Sequence, residues 1–207
     1  NGRLKTPDVH IDALQQLLDA LKPSAVTDLD ISGIGIGPTG AGRVADYVRD
    51  AKASIISLTV DSTGNMNNQK TYTLTVGDET IDLSQNNLGS ADITLLATWI
   101  RRPEVMGSVA SISLSGNMIT GSTNIGYSDA KYDLDLSGII AFGEAAAILK
   151  TLTSIDLSNC GIAAKGIAEV TKFISVNSSL AEIVLDGCPL TGATYYNGTL
   201  SKHIDSQ

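Results

Sequence analysis

The chain has 207 residues and a formal net charge of −8, a length that carries one ordinary domain or one continuous repeat core. Hydrophobic residues make up 43%, which excludes a disordered chain, and charged residues only 17%, which leaves a largely neutral polar surface. The acidic balance argues against nucleic acid and anionic membranes as electrostatic partners and favours a basic surface or a cation.

No segment reaches the ~18–20 consecutive apolar residues of a membrane span. The chain opens at Asn1 without an initiator Met, as expected of a mature form freed of a leader or of an excised fragment. In "TPDVHIDALQQLLDALKP", Thr6 is an N-cap and Pro7 a first helical position. Leu14, Leu17, Leu18 and Leu21 form an apolar stripe, so residues 1–24 are expected to be a helical cap. A strand-like "VTDLDIS" leads into "GIGIGPTG" (33–40) and a helix-like 41–51 in which Val44 and Val48 share a face. The run "SLTVDSTGNMNNQKTYTLTV" reads as two alternating strands joined by an Asn-rich turn, a β-hairpin insertion at 61–80. Further on, Ile93, Leu96 and Ile100, and later Ile167, Val170 and Ile174, have helical spacing. "TGSTNIGYSDAKY" has none and reads as a returning loop, and residues 193–207 form a tail or closing strand.

One pattern recurs along this path. "LDISGIGIG" (29–37), "IDLSQNNLG" (81–89), "ISLSGNMIT" (112–120), "LDLSGIIAF" (134–142), "IDLSNCGIA" (155–163) and "IVLDGCPLT" (183–191) align without a gap. "IISLTVD" (55–61) resembles the strand part of a further copy. Each copy is apolar, variable, apolar, two small or polar residues, then Asn, Cys or Ile. The two apolar side chains of such a strand point one way and the residue between points the other. A lone copy cannot bury its apolar face, so neighbours must stack. The Asn or Cys step is suited to pairing backbone groups that the turn would otherwise bury unsatisfied. Copy spacing is uneven: Ile155 to Ile183 is 28 residues, Ile112 to Leu134 is 22 and Leu29 to Ile81 is 52.

These copies resemble the leucine-rich repeats of the ribonuclease-inhibitor-like class, in which Asn and Cys both occur at the turn position. Asn86, Asn117, Cys160 and Cys188 match it, and Ile34 and Ile139 depart from it. The resemblance covers 25–192, about six repeats, and implies an α/β leucine-rich-repeat solenoid, curved, with a parallel inner sheet and outer helices and loops.

Gly35-Ile36-Gly37-Pro38-Thr39-Gly40 fits the G-x-G-x-x-G dinucleotide fingerprint, and the following strand-like segment ends in the acidic Asp61. The same glycine spacing recurs elsewhere: Gly33 matches Gly116, Gly138 and Gly187, Gly35 matches Gly161, and Gly40 matches Gly166. The repeat turn therefore explains the glycines better than a nucleotide does. His10 and His203 lie near opposite chain ends, no H-E-x-x-H, C-x-x-C or G-x-S-x-G occurs, and Cys160 and Cys188 read as stacked repeat residues. No catalytic, cofactor or metal site is expected.

Acidic and hydroxyl residues alternate with the strand apolars. Asp30, Asp82, Asp135 and Asp156 occupy the mid-strand row, Asp28, Asp133 and Glu182 the row before, and Asp186 the row after. On adjacent strands ~4.8 Å apart, like charges cost on the order of 1 kcal/mol in water, so replacing Asp135 and Asp156 by Asn is expected to raise stability. Two sequons, at Asn177 and Asn197, are candidate N-glycosylation sites. With few lysines and many Ser and Thr, they point towards a secreted or cell-surface protein. The resulting expectation is a non-enzymatic protein–protein interaction module using its concave repeat surface, with those eight acids as candidate contacts. The alternative is a self-assembling subunit of an extracellular filament or surface appendage, and the third, more remote reading is a nucleotide binder through residues 35–40.

Overall fold

The computed structural model describes residues 4–51, 55–125, 127, 129–192, 194–196 and 199–201. The chain runs α1 (Ile11–Leu21), β1 (Asp28–Asp30), α2 (Pro38–Asp50), β2 (Ser57–Asp61), β3 (Thr71–Thr75), β4 (Thr80–Asp82) and α3 (Ser90–Ile100). It continues through α4 (Pro103–Met106), β5 (Ser111–Ser113), α5 (Ser137–Ala146), β6 (Ser154–Asp156), α6 (Ala164–Ile174), β7 (Glu182–Val184), β8 (Thr194–Tyr196) and β9 (Thr199–Ser201).

Strands β4, β5, β6 and β7 form a parallel sheet in which Ile81, Ile112, Ile155 and Ile183 are register partners in succession. Their side chains, with Leu83, Leu114 and Leu157, enter the core, and Ile112, Ile155, Leu114 and Leu157 are fully buried. The helices form a second layer in which α1 packs on α2, α2 on α3, α3 on α5 and α5 on α6. Strands and helices thus take the two-layer arrangement that stacked repeats need to bury one continuous core.

The inner layer is not one parallel sheet. β1 and β2 pair in parallel, and β3 then runs antiparallel to β2 with Ser57 opposite Thr75 and Asp61 opposite Thr71. The hydrogen-bonded sheet ends at β3 and a second one begins at β4. β8 and β9 pair antiparallel as a separate two-stranded unit.

Two further expectations are corrected. The copy at 134–142 is not a strand: β5 pairs directly with β6 across 43 residues of chain from Ile112 to Ile155. Leu134, expected to point inward like Ile155, is 59% exposed, and Gly138 and Ile139 belong to α5. The N-terminal helix starts at Ile11 rather than after Thr6, because Asp8 adopts a left-handed conformation (φ 59°) that breaks helical continuity. Leu17 is 46% exposed, so the stripe narrows to Leu18 in the core with Leu14 and Leu21 beside it.

Candidate functional site

The turns after β1, β4 and β6 are each closed by an Asp-x-Ser unit. Ser32 N donates to Asp30 Oδ1 at 2.9 Å, Ser84 N to Asp82 Oδ1 at 2.9 Å, and Ser158 N to Asp156 Oδ1 at 2.8 Å. This is the local Asx geometry that Asp offers a turning backbone. These bonds hold the carboxyls of Asp30 and Asp82 below the ordinary Asp value. The next residue turns left-handed in five copies, at Gly33, Gln85, Gly116, Asn159 and Gly187. Gly138 does not share that conformation.

The acidic rows differ from expectation in their neighbours. Asp30 faces Thr59, Asp82 faces Ser113, and Ser113 in turn faces Asp156, which faces Val184. A hydroxyl or apolar residue therefore stands beside every mid-strand carboxylate, and the supposed repulsion between adjacent Asp side chains has no pair to act on. Ser154 Oγ donates to Glu182 at 2.9 Å, Thr27 Oγ1 donates to Asp28 at 2.8 Å, and Asp186 is exposed after β7. Asp133 and Asp135 leave the rows altogether, since no strand forms there.

Asp133 is buried and left-handed (φ 54°), and its carboxylate takes the N–H groups of Ala163 (3.2 Å) and Gly166 (2.8 Å) at the start of α6. Asp8 does the same for α2, accepting from Gly37 (2.8 Å), Thr39 (3.0 Å) and Gly40 (3.1 Å). Neither helix has a capping side chain of its own, so an Asp from elsewhere in the chain supplies the missing acceptors. A Cβ on Gly40 would lie 2.6 Å from Asp8 Oδ1, and one on Gly166 would lie 2.8 Å from Asp133 Oδ1. The glycines of the G-x-G-x-x-G run thus make room for a carboxylate of the same chain, which occupies the N–H groups a phosphate would need. Asp61 accepts from Gly33 N at 2.6 Å and Thr71 Oγ1 at 2.7 Å and is likewise an internal clamp.

The turn position of the repeats forms a ladder. Asn117 Nδ2 donates to Leu83 O and Leu114 O, both at 2.8 Å, while its Oδ1 accepts from Leu88 N at 2.9 Å. Cys160 Sγ donates to Leu114 O at 3.1 Å and Cys188 Sγ to Leu157 O at 3.2 Å. Burial pushes the Cys160 thiol up to about 12, which leaves it an uncharged buried donor at neutral pH. Asn177 is buried, and Nδ2 donates to Ala146 O (2.7 Å) and Leu149 O (3.2 Å). A glycan on that nitrogen leaves it a single N–H, so at least one of those bonds must break. Asn197 lies outside the described residues.

A concave site lies along the edge where strands lead into helices. It is a cleft of about 910 Å³ between the first insertion (Thr63, Gly64, Asn65, Met66) and the second (Met118, Gly121 to Ile125). Its floor is the first turns of α2 and α3 with Ser137 of α5. Asp92, buried in α3, fastens the first wall: it accepts from Thr63 N and Oγ1 (2.8 Å each), Gly89 N (2.8 Å) and Tyr72 Oη (3.1 Å). Desolvation raises the Asp92 carboxyl despite these donors. Asp135 sits in the second wall, where Asp135 N donates to Thr120 O at 2.9 Å and Oδ1 accepts from Ser137 N (3.0 Å) and Ser137 Oγ (2.7 Å). Burial would raise this carboxyl, but the bonds from Ser137 and Ser90 outweigh it and leave it below the ordinary value. Close approach of α3 and α5 completes the floor: a Cβ on Gly138 would lie 2.5 Å from Ser90 O. The insertion at 61–80 and the loop at 120–132 were visible in the sequence as departures from the repeat, but their meeting was not.

A family model described as Leucine Rich repeat matches residues 149–170, the stretch that carries β6 and enters α6. It supports a leucine-rich repeat in general and does not reach the ribonuclease-inhibitor-like class. No curated protein matches the chain. Among solved structures, one described as "Leiomodin-1 Actin-Binding Site 2 (ABS2)" aligns over 90% of this chain and 84% of its own, at 15% identity and a TM-score of 0.41. A likeness that weak transfers neither fold detail nor partner.

Proposed function

We propose that this chain is a non-enzymatic protein-interaction module that engages its partner at the insertion edge, with the acidic rows of β1, β4 and β6 supplying long-range attraction. The observation that carries this reading is the 910 Å³ cleft built from two insertions on a repeat framework. Leucine-rich repeats generally serve as protein-interaction modules, and irregular loops held on a rigid scaffold are where binding residues concentrate. The described lining is hydroxyls, amides, two methionines and an isoleucine around one carboxylate, a surface suited to complementarity rather than bond-making. The mid-strand carboxylates already serve their own turns, so they favour a basic partner without forming a shaped site. Self-assembly through the solenoid ends has less support. Edge strands β1 and β7 are three residues long and carry Asp28, Asp30 and Glu182, which places like charge on like charge.

Affinity capture from the cells that make the protein tests this, comparing wild type with Met118→Arg/Asn124→Arg and with Asp30→Asn/Asp82→Asn. The expected result is one dominant protein retained by wild type and by the row variant and lost with the cleft variant. Loss with the row variant alone would return the interface to the concave sheet, and capture of nothing by wild type would remove the reading.

A further inference from the structure

Building on the protein-binding reading above, we infer that the insertion cleft takes an extended peptide segment of a partner and that Asp135 selects a single basic side chain in it.

The helix ends under the cleft are already neutralised. The α2 N–H groups belong to Asp8, Gly89 N at the head of α3 belongs to Asp92, and Gly138 N of α5 donates to Ser90 Oγ at 2.7 Å. The positive ends that would draw an anion into such a floor are therefore taken. Among the described residues lining the cleft, Asp135 alone is ionisable. With the chain at −8 overall, both local and long-range fields favour a cation over an anion.

Asp135 is held ready for that task. Gly121, left-handed at φ 67°, lets the second insertion close on it, and a Cβ there would lie 3.1 Å from Asp135 Cβ. A carboxylate has about four acceptor sites. Ser137 N and Oγ take two, both at Oδ1, so capacity remains for an incoming N–H. Met66, Met118, Ile125 and Pro38 line the same cleft. They supply apolar surface for the methylene stem of Lys or Arg and for flanking side chains, and methionine adapts readily to irregular shapes. A cleft of about 910 Å³ falls at the upper end of the roughly 300–1,000 Å³ range of ligand pockets. That suits a few residues of extended chain rather than a folded face. Exposed Thr123, Asn65 and Gly64 along the two walls face the alternating N–H and C=O groups such a chain presents.

The probe is a phage-displayed random 12-residue peptide library selected on the full chain, followed by fluorescence polarisation of synthesised winners. Enriched peptides should share one Lys or Arg. Changing that residue to Ala, or Asp135→Asn in the protein, should weaken binding at least tenfold, and combining the two should add little to either alone. Asn keeps an oxygen for Ser137 N, so the variant should melt with wild type, and wild-type binding should weaken with added salt. Winners that protect 62–66 and 118–125 from hydrogen exchange but need no basic residue would overturn the charge selection and leave the cleft reading standing. Winners lost only with Asp30→Asn/Asp82→Asn would overturn both, and so would a library that yields no enrichment.

Discussion

Residues 134–137 and 155–158 carry nearly the same four letters, Leu-Asp-Leu-Ser and Ile-Asp-Leu-Ser, and fold into the same local turn. In each, the Ser N–H and Oγ both donate to the Asp Oδ1, at 3.0 and 2.7 Å in the first segment and 2.8 and 2.6 Å in the second. Their surroundings have nothing in common. Ile155 is fully buried in β6 between Ile112 and Ile183, whereas Leu134 is 59% exposed and its Asp lines a cleft. The tetrad encodes an Asx turn; whether a strand precedes it depends on which neighbour is free to pair. β5 pairs with β6, so the second insertion closes over the helix ends instead of entering the sheet.

Truncating the same position in both segments should have unequal consequences. Ile155→Ala empties a fully buried site between Ile112 and Ile183 in the repeat core and is expected to cost about 2–5 kcal/mol. Leu134→Ala should change stability by less than ~0.5 kcal/mol, as at ordinary surface positions. Urea denaturation of both variants decides it, and equal losses would put 134–136 back in the core.

Asp133 and Asp135 flank Leu134 and do different work. Asp133→Ala removes the acceptor for Ala163 N and Gly166 N and is expected to cost about 1–2 kcal/mol, the range for a lost helix cap. The loss should appear in hydrogen exchange as faster opening of the first turn of α6, with α5 unaffected. Asp135→Asn, two residues along, should leave both measurements near wild type.

The sequence made the stacked strands legible because the pattern of Ile81, Leu83, Ile112, Leu114, Ile155 and Leu157 demands a shared apolar layer whatever the loops do. The turn ladder was legible for the same reason: Asn117 and Cys160 must satisfy carbonyls that stacking buries. Asp8 and Asp133 were not, because their role needs a left-handed backbone and a reach of about thirty residues to another helix. No local signal separates such an Asp from a solvated one. The cleft was hidden for a related reason: its walls are fragments near 64 and 124, joined only by the packing of α3 against α5.

The smallest expected effect concerns pH, where two carboxylates of opposite character can be set against each other. Hydrogen bonding from Ser84 N holds Asp82 below its ordinary value, so its stabilising share is present above that value and is lost as pH falls through the folded pKa. Desolvation holds Asp92 above its ordinary value, so the fold favours its protonated form. Its share is present below the ordinary value and is lost as pH rises through the folded pKa. Urea midpoints followed from pH 2.5 to 6 should therefore bend in opposite senses when each is removed. Asp82→Asn should weaken the fall in stability on acidification, and Asp92→Asn should abolish a decline on the rising side. The exposed Asp82 should give the shallower change, because solvent screens it while Asp92 is sealed beneath the first wall of the cleft. If both variants bend the profile the same way, burial does not govern Asp92, and the four donors around it suffice to keep it ionised.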